Sequence, residues 1–102
     1  MSQQNYFVYI VTNQRHTVLY IGVTTDLERR LNEHSLGRGS QFVQQYNATK
    51  LIYFDAESAI TREKQLKNWS RKKKEFLITR SNPEWRDLIL EMHAVRAAGA
   101  SR

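Results

Sequence analysis

Two short apolar runs near the start of the chain, Tyr6-Phe7-Val8-Tyr9-Ile10-Val11 and Val18-Leu19-Tyr20-Ile21-Gly22, constrain its fold more than any other feature. Both are rich in β-branched and aromatic residues and read as strands, about Tyr6 to Thr12 and Thr17 to Gly22. The polar stretch Asn13-Gln14-Arg15-His16 between them is short enough for a hairpin loop. A turn centred between Gln14 and Arg15 sets Tyr9 directly opposite Tyr20, so that two phenols project side by side from one face of a sheet.

The rest of the pattern extends this hairpin into an α+β domain. Thr25-Asp26-Leu27-Glu28 has the form of a capping box, with Thr25 starting a helix that runs to about His34 or Ser35. Gly37 and Gly39 stop it, and Leu36 to Tyr46 reads as a loop. Lys50 to Phe54 is a third strand. A second helix is expected from about Ala56 to Ile78, with a break near Ser70. Ser81-Asn82-Pro83-Glu84 signals a further helix start, with Trp85, Leu88, Ile89 and Met92 at helical spacing to pack on the body of the domain. The expected order is ββαβαα. At 102 residues, with 40% apolar composition, the chain supports one modest core. Residues 1–92 are expected to form the domain and residues 93–102 a flexible tail.

Several polar residues occupy positions that an apolar core would claim. Leu27, Arg30, Leu31 and His34 follow the i, i+3, i+4, i+7 spacing of one helical stripe. Ala56, Ala59, Ile60 and Leu66 share one arc of the second helix, and Glu63 falls in its middle. An inward carboxylate needs a cation or donors, because burying it unpaired is costly. Taken singly, each has a plain structural explanation: an Arg whose stem packs while its head reaches water, a boundary His, a helix rotated to expose its Glu. Taken together, two phenols, a guanidinium, an imidazole and a carboxylate on elements that must pack on one another suit phosphodiester hydrolysis.

These residues resemble the GIY-YIG nuclease family. Tyr20-Ile21-Gly22 matches the second signature and Phe7-Val8-Tyr9 occupies the first, with Phe7 where the family often has glycine. The step from Tyr9 to Tyr20 fits the signature spacing. Arg30 falls where the family places its catalytic arginine, His34 where many members have a histidine, and Glu63 where they have a metal-binding glutamate. The small stand-alone members are closest in appearance, and the nuclease domain of the excision-repair incision subunit is a larger relative. The resemblance implies a three-stranded antiparallel sheet flanked by helices, and DNA hydrolysis at a single Mg²⁺ or Mn²⁺, including branched, damaged or single-stranded DNA in repair or recombination. In that scheme Glu63 holds the metal, Tyr9 takes a proton from the attacking water, Tyr20 orients the water or metal shell, Arg30 neutralises the transition state and His34 biases a tyrosine proton. Arg30 and the metal would have to lower the tyrosine pKa from ~10 for it to act as a base. Asn82 is a further polar residue assigned by the resemblance.

Composition adds a partner. Net charge is +6, and seven of the sixteen basic residues fall between Arg62 and Lys74. Arg62, Lys64, Lys67, Arg71, Lys72, Lys73 and Lys74, with Arg38 in the loop, form a stripe suited to nucleic acid. Trp69 and Tyr46 are read mainly as core or boundary residues, with base stacking as a second role. With no appended DNA-reading domain, specificity is expected to be low or conferred by a protein partner. The alternative is a non-catalytic nucleic-acid-binding module on the same fold. The chain has no cysteine, which excludes disulfides and thiolate metal sites. The polar start Met1-Ser2-Gln3-Gln4-Asn5 lacks a signal-peptide core, and no apolar run approaches the ~20 residues that span a bilayer. A soluble cytoplasmic protein without membrane contact is expected.

Overall fold

The hairpin forms with a wider loop than the sequence suggests. In the computed structural model, which describes residues 6–38, 41–56 and 58–92, strand β1 spans Phe7–Thr12 and β2 spans Leu19–Thr24. The six residues between them are held by the Asn13 side chain, whose Oδ1 accepts from the Thr17 amide at 2.8 Å and whose Nδ2 donates to Thr17 Oγ1 at 2.6 Å. His16 takes a left-handed conformation, φ 58°. The turn therefore centres between Arg15 and His16, and Tyr9 lies opposite Gly22 while Tyr20 lies opposite Val11. This corrects the direct Tyr9–Tyr20 pairing. The slip is of two residues, so side-chain parity is kept and both phenols still share a face.

Strand β3, Lys50–Asp55, pairs antiparallel with the other side of β1, giving the sheet order β2-β1-β3. A register shift between Ile10 and Val11 leaves Ile52 as an extra residue and turns both Ile52 and Tyr53 toward one core. Central β1 is covered on both faces. Val8 and Ile10 pack with Ile21, Ile52, Ala59, Leu66 and Ile78, while Tyr9 and Val11 pack with Leu27, Leu31, Val43, Leu51 and Met92. A strand buried on both faces reads as a continuous apolar run, as Val8 to Val11 does.

Helix α1, Leu27–Ser35, is capped by Asp26, which accepts from the Arg29 amide at 3.1 Å, in place of Thr25. Gly37, at φ 75°, ends it in the left-handed conformation that glycine adopts without cost. The stretch read as a loop contains a short helix α2, Gln41–Tyr46. The long second helix is two helices. Helix α3, Ala59–Asn68, starts after the expected Ala56, and α4, Arg71–Ser81, is capped by Ser70, which accepts from the Lys73 amide. The break thus falls where it was expected. Ala59 and Leu66 are buried as the helical arc requires, but Ile60 is 45% exposed: α3 is rotated so that its Ala59–Leu66 edge meets the sheet.

No helix begins at Pro83. Asn82 instead caps the end of α4, and its amide ties down the Arg86 backbone, donating to its carbonyl and accepting from its N–H. The chain then straps the outer edge of β3, with the Leu88 amide donating to the Leu51 carbonyl at 2.7 Å, and is helical again only at residues 89–92 of those described. The expected packing holds: Trp85 rests against one core, and Leu88, Ile89 and Met92 join the other. The predicted tail 93–102, the leader before Tyr6, Gly39 and Ser40 lie outside the described residues. Among the described residues, no helix is long and apolar enough to cross a membrane.

Candidate active site

The α1-covered face of the sheet gathers four of the five polar residues that the sequence singles out. β1 contributes Tyr9, whose ring passes over Gly22 on β2. A Cβ at Gly22 would fall 2.5 Å from Tyr9 Cζ and 2.9 Å from Cε2, and closer still to the hydroxyl oxygen. Only a residue without a side chain admits the ring there, which gives the signature glycine a steric cause. From α1, His34 places Nε2 3.2 Å from the Tyr9 hydroxyl. Tyr20 stands beside both, its ring centroid 6.4 Å from Tyr9 and 6.0 Å from His34. Arg30, one turn before His34 and partly exposed, completes the group, with Nε 3.5 Å from Glu33.

Burial sets the protonation of this cluster. The Tyr9 phenol is pushed up to about 12, first by loss of solvent and second by Tyr20, and the charge and hydrogen bond of Arg30 draw it down less than burial raises it. Arg30 acts in the direction that a base role for Tyr9 requires, but by itself it does not offset burial. His34 is held below its usual range by burial and then by Arg30, so it is neutral at pH 7. In the tautomer that carries its proton on Nδ1, the neutral imidazole accepts at Nε2 from the protonated Tyr9 phenol. His34 Nδ1 is buried with no hydrogen-bond partner among the described residues, a penalty of about 1–3 kcal/mol.

Glu63 stands apart from this group. It lies on α3, which packs on the opposite face of the sheet through Ala59 and Leu66, and its carboxylate is paired with Lys67 Nζ at 2.6 Å. Helix α3 packs against both β1 and edge strand β2, so a site using Glu63 with the tyrosines has to join across β2. Asn82 is also separate. It is buried, and its amide nitrogen donates to the Ile52 and Arg86 carbonyls at 3.1 and 2.9 Å. Both hydrogens of its amide nitrogen are used to hold the strap.

The basic stripe is less uniform than its sequence. Lys67 is committed to Glu63. Arg71 pairs with Glu75 at 2.8 Å and donates to the His16 and Thr17 carbonyls, so it secures the hairpin loop to α4. Lys73 and Arg62 lie over the Trp69 ring, 4.8 and 5.8 Å from its centroid. Arg38, Lys64 and Lys72 are exposed, and Lys74 is half-buried. Sequence reasoning missed Phe42, whose ring stacks on Tyr20 at 5.7 Å. Its spacing of four from Tyr46 is the signal that a helix reading of the loop would have used.

Comparison with known proteins gives the family and the fold. Residues 5–76 match the family model of the GIY-YIG catalytic domain. A UPF0213 protein of Haloquadratum walsbyi is 36% identical over 76 residues, covering 71% of this chain and 84% of its own length. One of Natronomonas pharaonis is 37% identical over 78 residues, covering 72% and 91%. The solution NMR structure of a UPF0213 protein from Bacillus halodurans superposes with a TM-score of 0.52 at 28% identity, covering 83% of this chain and 94% of that one.

Proposed function

Because the chain belongs to the GIY-YIG catalytic domain family, we propose that it is a divalent-metal-dependent endonuclease that hydrolyses phosphodiester bonds in DNA. The observation that carries this reading is the buried Tyr9–His34 hydrogen bond, flanked by the partly exposed Tyr20 and Arg30, in an otherwise apolar core. Packing alone has no use for a buried imidazole with an unpartnered nitrogen.

In the metal-free protein the Tyr9 pKa is pushed up to about 12, so the neutral phenol predominates there at pH 7. The attacking water passes its proton to the Tyr9 oxygen as the Tyr9 proton moves to His34 Nε2, 3.2 Å away. Arg30 neutralises the charge that builds on the phosphate. Tyr20 keeps the Tyr9 ring and the imidazole in register. Glu63 would hold the metal. Among the described residues no group of three or more His, Asp or Glu side chains gathers, which does not suit zinc. A lone carboxylate suits Mg²⁺ or Mn²⁺, which take most of their ligands from water and phosphate. When bound, such an ion supplies positive charge at the phosphate.

The Glu63–Lys67 pair favours the second reading, a nucleic-acid-binding module without turnover, because it neutralises the only carboxylate assigned to a metal. Purified protein with Mg²⁺ or Mn²⁺, offered plasmid, branched, single-stranded and damaged DNA, separates the two. Cleavage lost in both Glu63→Ala and Arg30→Ala supports the nuclease. Salt-dependent binding that is unchanged by Glu63→Ala, with no cleavage of any substrate, refutes it.

A further inference from the structure

The aromatic cluster does not end at the tyrosines. Phe42 of α2 stacks on Tyr20, with ring planes 29° apart. Tyr46, one helical turn later, places its ring 4.9 Å from that of Phe42. Val43, buried between them in sequence, anchors α2 to the core. A continuous run of rings therefore leads from the buried Tyr9 to the surface, where Tyr46 is 42% exposed.

Packing accounts for the inner rings, which fill the space between α2 and the sheet. It does not account for the outer end, where the Tyr46 side chain remains exposed. Nor is this an ordinary apolar docking patch. α2 has no charged residue, and its exposed neighbours Gln41 and Gln45 offer neutral amides. Arg38, just before α2, is exposed, and Arg30 lies on the α1 side. A polyanion approaching α2 meets no carboxylate on that helix and has the Arg38 guanidinium on the preceding segment. Every nucleobase has a π face that such a ring stacks against regardless of sequence, and a duplex hides those faces.

We propose that Phe42 and Tyr46 form a stacking platform for unpaired nucleobases, which selects single-stranded polynucleotide segments beside the tyrosine cluster. Its place next to the scissile bond rests on the nuclease reading above; the stacking itself does not. The platform gives the protein a preference for strand state without reading sequence.

The test is anisotropy of the intact protein, in chelator, with an end-labelled oligodeoxythymidine, the same oligomer made abasic, and a duplex of equal length. The base-bearing single strand is expected to bind roughly 5- to 150-fold more tightly than the abasic one, the range for one stacked base. Tyr46→Ala should remove most of that advantage, and Tyr46→Phe should keep it. Tyr46 is at the surface, so its truncation leaves Phe42 on Tyr20. Equal binding of base-bearing and abasic strands overturns the proposal, as does an advantage that survives Tyr46→Ala. Absence of cleavage in Mg²⁺ with base-dependent binding intact supports the platform and overturns the nuclease reading alone.

Discussion

Gly22→Ala should destabilise the protein through one named contact, and the contact can be removed. The added methyl meets Tyr9 Cζ at 2.5 Å and Cε2 at 2.9 Å, distances that ordinary Cβ atoms do not tolerate. Tyr9 is fully buried on the central strand, so its ring has no free space to enter. Overpacking of this kind costs about 1–3 kcal/mol, which for a domain of this size lowers Tm by about 4–8 °C per kcal/mol. In a Tyr9→Leu background the ring atoms are gone. Gly22→Ala then only exchanges a flexible residue for one with less backbone entropy to lose, a gain of about 0.5–1 kcal/mol. The double-mutant cycle by urea denaturation at pH 7 should therefore change sign, with a coupling of about 1.5–4 kcal/mol. A neutral Gly22→Ala, or a cost that is the same in both backgrounds, refutes the steric account of the signature glycine.

Asn82→Ala should cost about 2–4 kcal/mol by releasing the strap from Ile52 and Arg86, with cleavage per folded molecule unchanged; reduced specific cleavage in a folded variant would restore it to the site. His34 is kept below its usual pKa by burial and by Arg30, with Glu33 opposing. Below about pH 6.5 the unfolded chain binds more protons at this residue than the folded one, so its stability contribution is whole above that pH and lost as pH falls. Chemical denaturation from pH 7.5 to 5 should show a smaller acid loss in His34→Asn than in wild type, the comparison subtracting His16, which titrates in the same sense. On DNA, Lys72→Gln should lower the slope of log binding constant against log salt by about 1. Arg71→Gln should instead lower Tm, since its guanidinium holds the hairpin loop.

The fold was legible where pattern and packing agree. The β1 run, the α1 stripe and the break at Ser70 each follow from local chemistry that tertiary structure leaves in place. The hairpin register was not, because Asn13 builds a wider loop through side-chain bonds that no spacing rule encodes. Helix α2 was hidden by its short length and its uncharged composition, and the Asn82 strap by a Pro-Glu pair that ordinarily starts helices. In the site, Tyr9, Tyr20, Arg30 and His34 converge as their helical and strand parities require. Glu63 shows the limit of such reasoning: an inward arc on α3 fixes that it faces the sheet, but not which face of the sheet α3 covers. The upward push on the Tyr9 pKa was hidden for a related reason, since neighbouring charge is visible in sequence and depth of burial is not.

The central claim, that the Tyr9–His34 pair moves the proton of a nuclease reaction, is tested most directly by single-turnover cleavage with Tyr9→Phe. The substitution removes the hydroxyl and keeps the ring over Gly22, so the fold and DNA binding should be preserved while the cleavage rate falls by about 10²–10⁴-fold. A Tyr9→Phe protein that cuts DNA at the wild-type rate would contradict the account.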